Sequence, residues 1–101
     1  MKIYLAGKIS GNANYKAEFE RHAIAYEAEG HIVLNPAELP DGMTKADYMR
    51  ICFAMVDVVD TVCFLPGWYS SAGARLEYDY CKYIGKPVIL PHEEGERDVG
   101  I

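Results

Sequence analysis

Two loops rich in small residues, each placed after an apolar run, carry the side chains best suited to chemistry in this sequence. The first loop spans residues 7–12 and the second spans residues 66–73. A single carboxylate, Glu77, stands four residues after Gly73, about one turn into a predicted helix. A carboxylate next to an electron-poor carbon can attack it or stabilise its positive charge, so Glu77 is a candidate catalytic residue.

Both loops, and Glu77 itself, also allow a purely structural interpretation. The first loop forms either a tight strand-to-helix turn or a cradle whose backbone N–H groups bind phosphate. It matches neither the dinucleotide-binding nor the Walker A pattern, and its candidate phosphate-binding residues are Gly7, Lys8, Ile9, Ser10 and Gly11. In the second loop Ser71 and Gly73 are candidate phosphate-binding residues, and Ser71 either caps a helix or holds an anion, two roles that can coexist. Glu77 fits equally an ordinary helix carboxylate that complements the helix dipole.

Apolar periodicity predicts seven elements that alternate between strand and helix. The strands are predicted at residues 2–7, 31–35, 61–67 and 87–91, and the helices at residues 13–29, 45–59 and 71–84. Such an order predicts a three-layer α/β fold, Rossmann-like or flavodoxin-like, with a four-stranded parallel sheet covered by helices on both faces. With the strand order 2-1-3-4, a ligand binds where the loops after strands 1 and 3 meet. We predict one domain over residues 1–92 and a loosely ordered tail over residues 93–101.

Side chains near Glu77 add detail to this candidate site. Tyr4, on strand 1, is placed to reach the same cleft as Glu77. Trp68, in the second loop, either packs as an interface residue or stacks on a planar base. On the third helix Glu77 borders a predicted apolar stripe made of Leu76, Tyr80, Tyr83 and Ile84.

Composition limits the classes of partner. The chain has 101 residues and a formal net charge of −5, which argues against a nucleic-acid polymer but not against a single nucleotide. Its first apolar run is too short to span a membrane, and we expect a cytoplasmic protein without a signal peptide. The three cysteines lack metal-ligand spacing and are predicted to be reduced core thiols, so no metal site is expected. Oligomerisation would help to stabilise so small a domain.

Four motifs together resemble the nucleoside 2-deoxyribosyltransferase superfamily. They are MKIYLAG at the start, D-x-V-x-F at residues 60–64, S-x-G-x-x-x-E at residues 71–77 and GKPVI at residues 85–89. The superfamily includes the 2'-deoxynucleoside 5'-phosphate N-hydrolases and a branch of small members common in bacteriophages and prophages. This chain most resembles the branch of small members. The resemblance, which runs from Met1 to Leu90, implies cleavage or transfer at the N-glycosidic bond of a (deoxy)nucleoside or its 5'-monophosphate. It implies no cofactor or metal, and a dimer or larger homo-oligomer whose neighbouring subunits help to close the pocket.

The resemblance also implies a role for individual residues. Glu77 falls at the place of the nucleophile that attacks C1' of the sugar, and Tyr4 at that of a tyrosine that orients it. Ser71 matches a serine that contacts the 5'-phosphate. Residues 7–11 match the loop that lines the nucleotide site.

The sequence departs from the superfamily at three positions. Cys52 stands where an Asp usually binds the sugar hydroxyl and assists proton transfer, and a thiol with an ordinary pKa of about 8.5 is a poor substitute. Asp79, a candidate pocket residue bulky enough to narrow the site, stands where a Gly is usual, and Lys8 where a Pro is frequent. We therefore keep a second hypothesis, a phage-encoded module that binds a nucleotide or an NAD-derived ligand without turnover. A third is an oligomeric scaffold with a relic cleft.

Overall fold

The computed structural model describes residues 1–91, so the predicted tail at residues 93–101 lies outside the described residues. The regular elements are β1 Lys2–Ala6, α1 Tyr15–Ala28, β2 Ile32–Leu34, α2 Lys45–Val58, β3 Thr61–Phe64, α3 Ala72–Ile84 and β4 Val88–Ile89. The predicted alternation of strands and helices is confirmed. Two single-turn 3-10 helices, Pro36–Glu38 and Trp68–Ser70, follow β2 and β3 and were not predicted.

The strands form one parallel sheet in the predicted order 2-1-3-4. Because β1 and β3 are central, their alternating side chains are buried on both faces. On one face they pack with α2 and α3 in a cluster of Tyr4, Ala6, Cys52, Val56, Val59, Val62, Phe64 and Cys81. On the other face they pack mainly with α1 in a cluster of Ile3, Leu5, Phe19, Ala23, Ala37, Cys63 and Leu65. The three-layer α/β prediction is therefore confirmed.

The two edge strands are shorter and more exposed than predicted. β2 was predicted as a buried strand over residues 31–35, but its first residue, Ile32, is 63% exposed. β4 has two residues instead of the predicted five. Pro36 follows closely after β2 and Pro91 after β4, and a proline has no N–H to extend a strand ladder.

The first two residues of the GKPVI motif, Gly85 and Lys86, end α3 and bind the C-terminal end of α2. Gly85 ends α3 in the left-handed conformation, with a φ of 77°, which glycine adopts without strain. Lys86 then extends its ammonium group to the C-terminal end of α2. There Nζ donates hydrogen bonds to the carbonyl oxygens of Val59 at 2.6 Å and Asp57 at 3.3 Å. Since α2 has no basic residue in its own last turn, Lys86 supplies the cation that complements this helix end.

We expect Lys86→Met to lower the free energy of unfolding by about 2 kcal/mol, because the α2 carbonyls lose a charged donor. Urea denaturation measures this change. Arg21→Met is the control, since it removes an exposed cation from α1. Equal stability of the two variants would contradict the role assigned to Lys86.

Candidate active site

A cavity of about 630 Å³ opens at the carboxyl edge of the sheet, between the segments that follow β1, β2 and β3 and the facing sides of α2 and α3. Small-molecule sites in proteins have volumes of roughly 300–1,000 Å³. Parallel sheets bind ligands at this edge, where the order of strands reverses. The cavity is therefore the candidate active site.

Glu77 and Tyr4 meet in the wall of this cavity. Tyr4, on the central strand β1, is 1% exposed, and Glu77, on α3, is 5% exposed. The phenolic O–H of Tyr4 donates a hydrogen bond of 2.7 Å to Oε2 of Glu77. The fold thus joins two side chains 73 residues apart in a buried pair.

The buried face of α3 explains why Glu77 points inwards. Its buried residues are Ala74, Glu77 and Cys81, which recur at three- and four-residue spacing along one face of the helix. The small side chains of Ala74 and Cys81 let the helix approach the sheet closely. Glu77, between them, is directed towards the sheet and the cavity.

The apolar stripe that Glu77 borders on α3 lies mostly at the surface. Leu76 is 53% exposed and Tyr83 is 91% exposed, while Ile84 is also exposed and Tyr80 is half-buried. The buried residues of α3 other than Glu77 are the small Ala74 and Cys81, so the large apolar side chains lie outside the contact with the sheet. Leu76 nevertheless contributes to the cavity wall.

Burial governs the ionisation of this pair. It raises the pKa of Glu77 from an ordinary 4.5 to about 7, while hydrogen bonds from Tyr4 and from Cys52 act in the opposite direction. Burial, and next the charge of Glu77, raise the pKa of Tyr4 well above 10. Tyr4 is therefore a constant donor near neutral pH, whereas Glu77 exists in both protonation states. Such a perturbed carboxyl in a cavity is typical of a functional group.

Cys52 brings a thiol from α2 into the same wall. Its side chain is buried, and burial raises the pKa of the thiol above its ordinary value. Cys52 is therefore a neutral S–H group near pH 7. All three cysteines, Cys52, Cys63 and Cys81, are buried free thiols, as predicted.

The N-terminal end of α3, together with the loop before it, borders the cavity. Ser71 Oγ accepts a hydrogen bond of 3.2 Å from the backbone N–H of Ala74, so Ser71 caps α3. Ser71 and Gly73 both line the cavity. A Cβ added to Gly73 would lie 3.7 Å from Sδ of Met49 on α2, so its absence leaves space between the two helices.

Three of the five candidate phosphate-binding residues in the first loop line the cavity. Gly7, Ile9 and Ser10 line the cavity, and Lys8 and Gly11 do not. Gly7 is also required by packing, because an added Cβ would lie 3.1 Å from Cζ of Phe19. Gly11 has a φ of 77° and forms the turn that leads towards α1.

Trp68 and Asp79 lie outside the cavity wall, which corrects the placement of Asp79 in the pocket and favours packing over base stacking for Trp68. The ring of Trp68 packs against Phe64 and Tyr78, with centroid distances of 4.8 Å and 5.0 Å, so it is turned away from the ligand space. Asp79 follows Glu77 by two residues, and its side chain is exposed to solvent. Two residues along a helix correspond to about 200°, which places Asp79 on the opposite side of α3.

Sequence reasoning missed the segment between β2 and α2 and its neighbours. The additional lining residues are Tyr15, Pro36, Leu39, Asp41, Met43, Lys45, Tyr48 and Met49. Tyr48 anchors this wall, since its hydroxyl donates to the carbonyl of Pro40 at 2.6 Å and accepts from the N–H of Met43 at 3.3 Å. The predicted strand order contained the signal, because β2 lies beside β1 and its carboxyl end faces the same edge.

Residues 1–91 contain neither a candidate metal cluster nor a helix suited to crossing a membrane. No group of three or more His, Cys, Asp or Glu side chains within residues 1–91 is arranged to hold a metal ion. None of the helices described is both long enough and apolar enough to cross a membrane.

Comparison with known proteins gives a family and a fold. Residues 1–90 match the family DUF4406, described as a domain of unknown function. No curated protein matches the chain significantly. Among solved structures, a 2-deoxyribosyltransferase from the psychrotolerant bacterium Bacillus psychrosaccharolyticus matches with a TM-score of 0.75 and 23% sequence identity, over 96% of this chain and 76% of that one. This similarity confirms the predicted resemblance at the level of the fold.

Proposed function

Because the chain belongs to the DUF4406 family, whose function is unknown, we propose its function from the geometry of the cavity. We propose that it cleaves or transfers the N-glycosidic bond of a (deoxy)nucleoside or its 5'-monophosphate, with Glu77 as the nucleophile. The observation that carries this proposal is the buried carboxylate of Glu77, held by Tyr4 at 2.7 Å in the cavity wall. The shared fold with a 2-deoxyribosyltransferase supports the same class of reaction.

The proposed reaction has two steps at C1' of the sugar. In the first, a carboxylate oxygen of Glu77 forms a bond to C1' while the C1'–N bond breaks, and the electron pair leaves with the base, which takes up a proton from water. In the second, water attacks C1' and gives the free sugar, or another base attacks and gives a new nucleoside. Either second step releases Glu77 as a carboxylate.

Tyr4 orients the nucleophile in this proposal. Its hydroxyl holds Oε2 of Glu77, which leaves Oε1 as the oxygen to approach C1'. Because its pKa is well above 10, Tyr4 remains a donor throughout and stabilises the carboxylate that each turnover regenerates. A buried carboxylate also has little hydration to lose when it attacks.

The start of α3 is the proposed site for a 5'-phosphate. Ser71 precedes Glu77 by six residues, which corresponds to about 9 Å along the helix and leaves room for the sugar between them. The positive end of the helix dipole and free backbone N–H groups favour an anion there. Lys45, at the start of α2, adds a cation to the same cavity wall.

A panel of nucleosides and 5'-monophosphates, with free base measured by chromatography, tests the proposal. We expect release of free base from at least one substrate, or base exchange when a second base is added. Thermal-shift measurements on the same panel identify binding. A ligand that raises the melting temperature but loses no base would favour the alternative of a binding module. That result would contradict the proposed enzymatic activity. The predicted homo-oligomer stays a prediction, which light scattering would test.

A further inference from the structure

The turn that leads into α2, residues 40–43, forms one side of the cavity. Asp41 and Met43 of this turn line the cavity. Gly42, between them, has a φ of 97°, a left-handed conformation that glycine adopts without strain. The turn lies between a 3-10 helix and α2 and belongs to no regular element. Its position therefore depends on the contacts that it makes with neighbouring parts of the fold.

A single hydroxyl group, that of Tyr48, bonds to both ends of this turn. It donates to the carbonyl oxygen of Pro40 at 2.6 Å and accepts from the backbone N–H of Met43 at 3.3 Å. Within residues 1–91, no other hydrogen bond reaches the backbone of residues 40–43. Asp41 adds an ion pair with Lys16 of α1 at 3.8 Å, but both side chains are exposed and such pairs contribute little. Tyr48 thus supplies the main contact between the turn and the rest of the fold.

Tyr48 is itself anchored in the first turns of α2. Its backbone N–H donates to the carbonyl oxygen of Thr44 at 3.1 Å. Thr44 also caps the helix, because its Oγ1 accepts from the N–H of Asp47 at 3.1 Å. The side chain of Tyr48 is half-buried and lines the cavity. A residue fixed in a capped helix therefore sets the position of a turn that has no regular structure of its own.

We propose that Tyr48 is a positioning residue, whose hydroxyl holds residues 40–43 in the position that binds the nucleoside or nucleotide. This inference rests on the function proposed for the cavity. A protein that is competent to bind for only a fraction of the time has its affinity reduced by that fraction. By keeping the turn in place, Tyr48 strengthens binding. The chemical step is left to Glu77 and Tyr4, with which the Tyr48 hydroxyl shares no hydrogen bond in the described structure.

Tyr48→Phe tests this role, because it removes one oxygen and keeps the aromatic ring. We expect KM to rise about tenfold, which corresponds to the loss of about one net hydrogen bond. We expect kcat to stay within about twofold of the wild-type value, since Glu77 and Tyr4 are unchanged. The N–H of Met43 loses its acceptor, so NMR should show its hydrogen exchange to be about tenfold faster.

Tyr80→Phe is the matched control. It also removes a tyrosine hydroxyl that donates a hydrogen bond, here of 2.7 Å to Oδ1 of Asp57, at a place outside the cavity wall. It is expected to change neither KM nor the exchange of the Met43 N–H. An unchanged KM or unchanged Met43 exchange in Tyr48→Phe, or an equal rise of KM in Tyr80→Phe, would overturn the proposal.

The role of Tyr48 can also be decided without turnover. If the wild-type protein binds a nucleotide of the panel and releases no base, the proposed function fails. Dissociation constants measured by calorimetry then replace KM, with the same tenfold difference expected between wild type and Tyr48→Phe. Wild-type protein that binds no member of the panel would overturn the proposed effect on affinity. Hydrogen exchange at Met43 needs no ligand and reports separately whether Tyr48 holds the turn.

Discussion

Glu77→Gln abolishes the release of base from every substrate that the wild-type protein cleaves, with a fall in kcat of at least about a thousandfold. A neutral amide cannot form the bond to C1' that a carboxylate forms. The substitution keeps the size of the side chain, and the amide oxygen still accepts the hydrogen bond from Tyr4. Free base measured by chromatography under saturating substrate gives kcat for both proteins.

Glu20→Gln is the control for this first prediction, because Glu20 is an exposed carboxylate on α1. Its kcat is expected to equal that of the wild type. Thermal-shift measurement checks that Glu77→Gln still binds the ligands of the wild type. A Glu77→Gln protein that keeps more than a tenth of wild-type kcat would remove Glu77 from the mechanism.

The second prediction concerns stability, and the same substitution is expected to stabilise the protein at alkaline pH. Folding raises the pKa of Glu77 from 4.5 to about 7, so the folded state favours the protonated carboxyl. The stabilisation from this group is therefore complete below pH 4.5 and is lost as the pH rises through 7. A rise of this size corresponds to about 3 kcal/mol. Glu77→Gln, which has no proton to lose, does not undergo this loss.

Urea denaturation of both proteins at pH 5 and at pH 8.5 measures this effect. Because part of the stabilisation is already lost at pH 5, we expect the free energy of unfolding of Glu77→Gln, relative to wild type, to be about 2–3 kcal/mol more favourable at pH 8.5 than at pH 5. Asp60, whose pKa is lowered chiefly by a hydrogen bond from the backbone N–H of Lys2, is present in both proteins and cancels in the comparison. A difference that does not change with pH would mean that Glu77 titrates normally.

Both expected effects of Glu77→Gln have the same cause, which is the burial of the Glu77 carboxyl group. The buried wall that makes Glu77 a reactive carboxylate also makes its charge destabilising. A variant that gains stability at pH 8.5 and loses all turnover would show a stability–activity trade-off at a single residue.

The sheet could be predicted from the sequence because its central strands are continuous apolar runs between helices. The edges could not be predicted as well, since β2 and β4 have one neighbour each and their lengths depend on pairing. Ile32 looks like a core residue by type and is exposed by position. On α3 residue type is likewise a poor guide to burial, because Leu76 and Tyr83 are exposed while the small Ala74 and Cys81 pack on the sheet.

The candidate site was predicted in part. The structure brings Glu77, Tyr4, Ser71 and Cys52 to one cavity, and their places followed from the loops at the switch point and from motif resemblance. The wall from β2 to α2 was missed because its residues carry no motif. The sequence left Trp68 between packing and stacking on a base, and its aromatic neighbours place it in the packing against α3. Local sequence does not show which neighbours a loop side chain will have.

The most direct test of the central claim is to trap the bond between Glu77 and the sugar. Turnover of a cleaved deoxynucleoside is stopped with acid, and the protein is digested with trypsin, which cuts after Arg75 and Lys82. Fragment-ion mass spectrometry then separates Glu77 from Asp79 within residues 76–82. We predict that the mass of one deoxyribosyl group is added to Glu77, and that Glu77→Gln shows no addition. Turnover that leaves Glu77 unmodified while another residue carries the sugar would contradict the account.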